Sequence, residues 1–223
     1  MLDKKKVRGL ICGRGKSLKH YNKLLSTKFD FTYLVNEFNR FIREDENLLL
    51  FLKSKSEEGH LTQQVNIEAG GVDSFLLENI EIKEIIMARL AYNGENSKWR
   101  PRINTNIFNH FGRTLQLQPD TIAPYMKYVE NSLGIAILNL IIDKDCDEIC
   151  IIGSDFYEVD YYLSHRGPDW LEVSKKKIQD KLKRGVDQLV EIFPEVKFNI
   201  YTCSTYTNAF DNCNIVKIDT DSL

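Results

Sequence analysis

Gly13 and Gly15 stand one residue apart, with Arg14 between them and Lys16 and Ser17 after them. An apolar run from Val7 to Cys12 leads in. A polar-apolar segment around Leu18, Tyr21, Leu24 and Leu25 leads away. This spells a strand, a tight turn and a helix start. Such a turn gathers free backbone N–H groups and the positive end of a helix dipole, which suits a phosphate or a nucleotide. Glycine at both positions permits positive φ and a close approach of ligand to backbone, and Arg14 and Lys16 add positive charge. The dinucleotide fingerprint wants a third small residue where Lys16, Ser17 and Leu18 stand, and the P-loop spacing fails between Gly9 and Lys16. A strand-to-helix turn of any α/β domain has the same composition.

The elements that must position this turn follow along the chain. Phe29 to Val35 reads as a second strand ending at Asn36-Glu37, and Leu48 to Leu52, a continuous apolar run, as a third ending at Lys53-Ser54. Ser74 to Ala91 mixes strand and helix character. Asn93 to Arg113 reads as loop or lid, with Trp99-Arg100-Pro101-Arg102 its cationic-aromatic segment. Ile122 to Ile142 reads as a helix. Glu148 to Ile152 is a central strand running into Gly153-Ser154-Asp155-Phe156-Tyr157. Helical spacing of Ile178, Leu182, Val186, Leu189, Val190 and Phe193 marks a long helix stopped by Pro194. Val196 to Thr202 and Asn214 to Ile218 close the chain as strands. Strands alternating with helices predict an α/β fold, a mostly parallel Rossmann-like sheet with helices on both faces. The expected organisation is a single Rossmann-like domain over 1–223, with 57–120 a variable insertion and 158–173 a lid loop. In such sheets ligands sit at the C-terminal strand ends, where Gly13–Ser17, Asn36, Lys53, Gly153–Tyr157 and Ser204-Thr205 would gather.

The bulk numbers narrow the classes. With 30 Lys and Arg against 32 Asp and Glu, the formal net charge is −2, which gives no strong basic field for nucleic acid. No apolar stretch is long enough to span a bilayer, and the start lacks a signal peptide pattern. Cys12, Cys146, Cys150, Cys203 and Cys213 are odd in number and mostly in or beside strands, so they read as reduced thiols of a cytoplasmic protein. Asp143-Lys144-Asp145 has the form of a metal-holding Asp-x-Asp but precedes the central strand, on the edge opposite the nucleotide. Asp219-Thr220-Asp221 lies near the terminus. Neither reads as a metal site.

Two segments together resemble the bacterial lipooligosaccharide sialyltransferases, glycosyltransferases that use CMP-sialic acid. Gly13-Arg14-Gly15-Lys16-Ser17-Leu18-Lys19 is similar to that family's Gly-Asn-Gly-Pro-Ser-Leu-Lys, and Asn36-Glu37-Phe38 to its Asn-Gln-Phe. Ser132-Leu133-Gly134, followed after a helix by Gly153-Ser154-Asp155-Phe156-Tyr157, resembles its Thr-Ser-Gly, helix, Ser-Gly-Ile-Asp-Phe-Tyr. Tyr201-Thr202-Cys203-Ser204 is a looser echo of the last strand. The resemblance covers both ends of the chain and hardly touches 57–120. Arg14 and Lys16 replace the family's Asn and Pro, Lys53 stands where it has an Asn near the ribose, and Leu133 replaces a Ser. A related donor such as CMP-Kdo fits those departures as well.

The resemblance implies a variant of the GT-A-like fold with an inserted lid. It implies an inverting, metal-free transfer from a CMP-sugar to a glycan or lipooligosaccharide acceptor, with no cofactor. It leaves room for peripheral membrane association and for an oligomer. Donor binding would fall to Gly13, Arg14, Gly15, Ser17, Asn36, Lys53, Ser132, Leu133, Gly134, Gly153, Ser154, Asp155 and Phe156. Tyr157, Tyr161 and Tyr162 would offer phenolic O–H groups to the departing phosphate. His165, in the loop after Tyr157, is the base candidate, since a neutral histidine suits proton abstraction near pH 7. His20, His60 and His110 read as structural or exposed. A pyrophosphokinase-like enzyme, a dinucleotide oxidoreductase and a catalytically inactive nucleotide-binding protein are the competing readings.

Overall fold

A computed structural model describes residues 5–36, 38–66, 74–88, 115–117, 121–122, 124–125, 129, 131–159 and 175–219. The strands are β1 (Arg8–Cys12), β2 (Phe31–Val35), β3 (His60–Asn66), β4 (Glu84–Ala88), β5 (Leu115–Leu117), β6 (Glu148–Ile152), β7 (Lys197–Thr202) and β8 (Cys213–Lys217). They form one sheet of eight in the order β5-β4-β3-β2-β1-β6-β7-β8. Every neighbouring pair is parallel. The chain runs outward from β1 to β5, then returns to lay β6 against the other side of β1. That reversal makes the gap between β1 and β6 the topological switch point, where α/β sheets place their ligands.

Alternation along the strands explains two cores. Ile11, Tyr33, Val35, Ile149, Ile151, Phe198 and Ile200 face one side. Leu10, Cys12, Leu34, Leu61, Cys150 and Ile152 face the other. The first side is covered by α4 (Ser132–Leu138, continued by one π-type turn, Asn139–Asp143) and α5 (Lys175–Ile192). The second is covered by a 3-10 segment (Lys16–Leu24), α1 (Asn39–Glu44), α2 (Glu46–Glu58) and α3 (Ser74–Asn79). The expected α/β class, with helices on both faces of a parallel sheet, is what the chain adopts.

Three elements differ from the sequence reading. The helix expected over Ile122 to Ile142 starts at Ser132, with Asn131 before it in extended conformation. Leu48 to Leu52 is not a strand; it lies in α2. Asp45 caps that helix, its carboxylate accepting from the Leu48 N–H at 2.9 Å. Leu48, Phe51, Leu52 and Lys55 are buried at helical spacing. The third strand is instead β3, which begins at His60. Thr62, Gln63 and Gln64 of this strand are fully buried, and each has a partner. Thr62 donates to Glu84 at 3.0 Å, Gln63 to the Asn36 carbonyl at 3.0 Å and Gln64 to the Ser132 carbonyl at 2.6 Å. Burying such groups is tolerable only when they are paired. Within 57–120 the described residues supply strands β3, β4 and β5 of the common sheet and the helix α3.

Asp143-Lys144-Asp145 lies before β6, on the N-terminal edge, as expected. Lys144 there pairs with Asp143 at 2.8 Å and with the buried Glu84 at 3.4 Å. Cys12, Cys146 and Cys150 are buried free thiols, each pushed up to about 12 by that burial.

Candidate functional site

The strand register puts Cys12, Leu34, Ile152 and Tyr201 side by side. The residues just beyond them therefore share the C-terminal edge: Gly13 after β1, Asn36 after β2, Gly153 after β6 and Cys203 after β7. At the switch point the first and third of these turns touch backbone to backbone. The Gly13 N–H donates to the Ile152 carbonyl at 2.8 Å and the Gly15 N–H to the Gly153 carbonyl at 2.6 Å. A Cβ on Gly13 would lie 2.3 Å from the Gly153 oxygen, and one on Gly153 2.3 Å from the Gly13 oxygen.

This changes what the glycines do. Among the described residues Gly153 is the glycine at positive φ, 75°. Gly15 is extended, with φ −75° and ψ 167°. Gly13 and Gly15 do not take the left-handed conformation that the sequence suggested. They are glycines because another turn of the same chain, rather than a ligand, comes within contact of them.

Asp155 completes the clasp. It is 3% exposed. Its Oδ2 accepts from the Ser17 N–H at 2.9 Å, and its Oδ1 accepts from the Cys203 N–H at 2.8 Å and the Thr202 hydroxyl at 3.0 Å. The Ser17 hydroxyl in turn accepts from the Gly153 N–H at 2.9 Å. One carboxylate thus ties together the ends of β1, β6 and β7. It also sits at the start of the 3-10 segment, where the free amides of a helix N-terminus would otherwise receive an anion. The anionic partner of the Gly13–Ser17 turn is supplied by the protein, so the amides of Gly13, Gly15 and Ser17 are already engaged.

Beyond Asp155 the backbone is strained. Phe156 and Tyr157 both have positive φ, 50° and 59°, a conformation that costs roughly 1–2 kcal/mol per non-glycine residue. Several contacts hold it. Phe156 is buried and packs on Tyr206, with ring centroids 4.4 Å apart. Gln179 of α5 donates to the Tyr157 carbonyl at 2.8 Å. Glu158 binds Lys183 and both the N–H and the hydroxyl of Thr205. Consecutive left-handed residues fixed from several sides are a common mark of a functional turn, and here they set the direction in which half-buried Tyr157 leaves the sheet.

Burial works to raise the Glu158 carboxyl, but Lys183 and Thr205 outweigh it and hold the group below the usual carboxylate range. A depressed folded-state pKa stabilises the fold above the unfolded value, about 4.3, and that contribution is lost as pH falls through the folded value. Urea midpoints should therefore drop on acidification below about pH 4.5. Glu158→Gln should be less stable than wild type at neutral pH and should converge with it in acid. Equal pH profiles for the two proteins would show that the Glu158 interactions contribute nothing.

Asn36 and Ser132 form the second part of the edge. Asn36 has φ 70°, and its Oδ1 accepts from the Ser132 hydroxyl at 3.2 Å. Both are half-buried. The buried Gln63 and Gln64 side chains fix the Asn36 and Ser132 carbonyls from below. Ser132 opens α4, whose cap is Asn131, with its side chain accepting from the Gly134 N–H at 2.8 Å. Gly134 is required by packing: a Cβ there would come within 2.5 Å of Val129 Cγ1. Leu133 is buried in the core.

The structure thus brings together Gly13, Arg14, Gly15, Ser17, Asn36, Ser132, Gly153, Ser154, Asp155, Phe156 and Tyr157 along one edge. It does not bring Lys53 there. Lys53 sits on α2, a turn and a half before Gly59 and the N-terminal end of β3, so it lies towards the other edge. Tyr161, Tyr162 and His165 lie outside the described residues, as do His110, Trp99, Arg100, Arg102 and the lid from residue 160 onward. Sequence reasoning missed Gln63, Gln64 and Asn131, which hold the edge from beneath. The Gln-Gln pair becomes meaningful only once β3 is recognised as a buried strand. Among the described residues no cluster of three or more metal-ligating side chains occurs, and no helix is long and apolar enough to cross a membrane.

No protein-family model matches the chain, and no curated protein sequence does. Among solved structures the chain is similar to the sialyltransferase CST-II in complex with a trisaccharide acceptor and CMP. The two share 13% identity with a TM-score of 0.43, over 86% of this chain and 80% of the other.

Chemically, the edge offers half-buried amide and hydroxyl groups at Asn36 and Ser132 for a base or a sugar. Arg14 and Lys16 bring cationic groups to the turn after β1, and Tyr157 brings a phenol after β6. The arrangement suits a polar, anionic ligand laid across the ends of β2, β1 and β6.

Proposed function

We propose that the chain is a glycosyltransferase that moves sialic acid or a related sugar from a CMP-sugar to a glycan acceptor, by a metal-independent inverting displacement. The observation that carries this reading is a juxtaposition. The two segments that resemble the CMP-sialic acid transferases, Gly13–Lys19 and Gly153–Tyr157, are bonded to each other at the switch point, through Ser17 and Asp155 among others. Asn36 and Ser132, which belong to the same resemblance, bond to each other beside them.

In this reading Asn36 and Ser132 recognise the cytidine, and Arg14 and Lys16 face the phosphate. Asp155 serves as a positioning residue, since its oxygens are engaged by the protein. The acceptor oxygen bonds the anomeric carbon while the bond to CMP breaks and its electron pair leaves on the phosphate. His165 takes the acceptor proton, and Tyr157, Tyr161 and Tyr162 donate to the phosphate as its charge grows.

Melting the protein with CMP, CDP, UDP, GDP, ATP and NAD tests the donor class. A ligand at about a hundred times its Kd stabilises by about 2.7 kcal/mol, which is roughly 5–10 °C for a chain of this size. CMP should give that shift and the other nucleotides should not. A response to another nucleotide with indifference to CMP overturns the reading. With transfer from a CMP-sugar in hand, His165→Ala should lower kcat by about 100-fold or more and leave the CMP shift intact; unchanged kcat removes His165 as the base.

A further inference from the structure

We propose that Asn139 is a positioning residue of the candidate site: it fixes the orientation of the Gln64 amide, and through Gln64 the Asn36–Ser132 pair that receives the nucleotide. The proposal rests on the reading of that pair given above.

Gln64 is a hub. Its main-chain carbonyl accepts from the Asn36 N–H at 2.8 Å. Its side-chain Nε2 donates to the Ser132 carbonyl at 2.6 Å. The Ser132 hydroxyl then closes a ring by donating to Asn36 Oδ1 at 3.2 Å. Asn36 has φ 70°, a conformation that a non-glycine residue keeps only where its surroundings hold it. The ring does so, with Gln63 Nε2 on the Asn36 carbonyl at 3.0 Å.

A side-chain amide can be turned end for end, and one orientation alone closes this ring. The Ser132 carbonyl only accepts, so Gln64 must offer it the NH2 group. The Gln64 oxygen then faces away and needs a donor. Asn139 supplies it: its Nδ2 donates to Gln64 Oε1 at 3.4 Å. Turned over, Gln64 would set its oxygen against the Ser132 oxygen and its NH2 group against another NH2.

Asn139 stands at a costly place. It is the one polar side chain between Leu133 and Ile141, and it is fully buried. Its Oδ1 has no hydrogen-bond partner among the described residues. A leucine there would complete an apolar helix face and leave no buried acceptor unmade. The asparagine therefore serves the fold poorly and the ring well. It also opens the π-type turn, where the Lys144 N–H reaches back to the Asn139 carbonyl at 3.2 Å. Single turns of that kind are frequent at functional sites.

Titration with CMP and urea melts of Asn139→Leu, Gln64→Met and the double variant test the role. Asn139→Leu should weaken CMP roughly fivefold, the worth of one hydrogen bond, with a urea midpoint at or above that of wild type. A residue that only supported the fold would show the opposite pair of changes. The double variant should bind CMP no worse than Gln64→Met alone, because Asn139 acts through Gln64. Asn139→Ala adds no volume and should weaken CMP equally, which covers overfilling by leucine. Unchanged CMP affinity in both Asn139 variants overturns the proposal, as do additive losses in the double variant. Wild type that ignores CMP overturns the reading of the site instead. Amide exchange followed by NMR without ligand then decides the role of Asn139. Asn139→Leu should speed exchange of the Asn36 N–H roughly fivefold and leave Ile11 and Ile151 in the central strands as in wild type. Unchanged exchange at Asn36 overturns the positioning role.

Discussion

Gly153→Ala should destabilise the protein by about 3 kcal/mol or more, and it should abolish the proposed CMP binding along with the fold of the switch point. Two costs add. Gly153 has φ 75°, where an L-residue loses roughly 1–2 kcal/mol. Its Cβ would also lie 2.3 Å from the Gly13 oxygen and 2.6 Å from the Gly13 carbonyl carbon. Those are backbone atoms of an adjacent strand end, so no rotamer change relieves the collision. The turns after β1 and β6 must part, and with them go the Gly13, Gly15 and Ser17 hydrogen bonds. Gly9→Ala is the contrasting variant. There the new methyl meets Leu140 Cδ1 at 2.8 Å, the end of a flexible side chain, and a loss of about 1 kcal/mol is expected. Urea titration of the two variants against wild type decides the matter. Equal midpoints for Gly153→Ala and wild type would mean that the two turns are not clamped together as described.

The contrast also shows what could be read from the sequence. The apolar strands β1, β2 and β6, and the long amphipathic α5, were legible because burial on both sheet faces or on one helix stripe leaves a compositional trace. The class of fold followed from their alternation. Two elements hid for opposite reasons. Leu48 to Leu52 is apolar at every position, and such a run does not distinguish strand from helix. Asp45 three residues before Leu48, and the burial spacing that continues to Lys55, were the available signals. Strand β3 is polar at Thr62, Gln63 and Gln64, and those residues read as surface until their partners are known. Misplacing the third strand misplaced Lys53 with it.

The candidate site was legible as a set of strand ends and not as a set of roles. The sequence places Asn36 and Ser132 nearly a hundred residues apart, and the packing of α4 across β2, β1 and β3 brings them within one hydrogen bond. The glycine turn was recognised for its amides, yet the structure gives three of those amides to carbonyls and a carboxylate of the chain itself. No spacing rule reveals that, because the partner is supplied by a residue 138 positions away. Arg14 and Lys16 in that turn are also where the chain departs from the pattern of the sialyltransferases it resembles.

Asp155→Ala follows from the same geometry and separates a clasp from a ligand contact. The substitution removes an acceptor from the Ser17 and Cys203 N–H groups and from the Thr202 hydroxyl, all within a buried corner. Each buried donor left unmade costs about 1–3 kcal/mol. Thr202 can turn to the Ser154 carbonyl, 3.1 Å away, or to Ser204 at 2.8 Å, so the two amides carry most of the loss, about 3–5 kcal/mol in all. Asp155→Asn should recover only part of it. An amide offers one acceptor oxygen, and its NH2 must then oppose either the Ser17 N–H or the Cys203 N–H. Both variants should lower the melting temperature, with alanine the worse. Held well below its own melting transition, Asp155→Asn should keep the proposed CMP binding, because both carboxylate oxygens are engaged by the protein. A variant that melts like wild type yet loses CMP would reverse this assignment and make Asp155 a contact to the nucleotide.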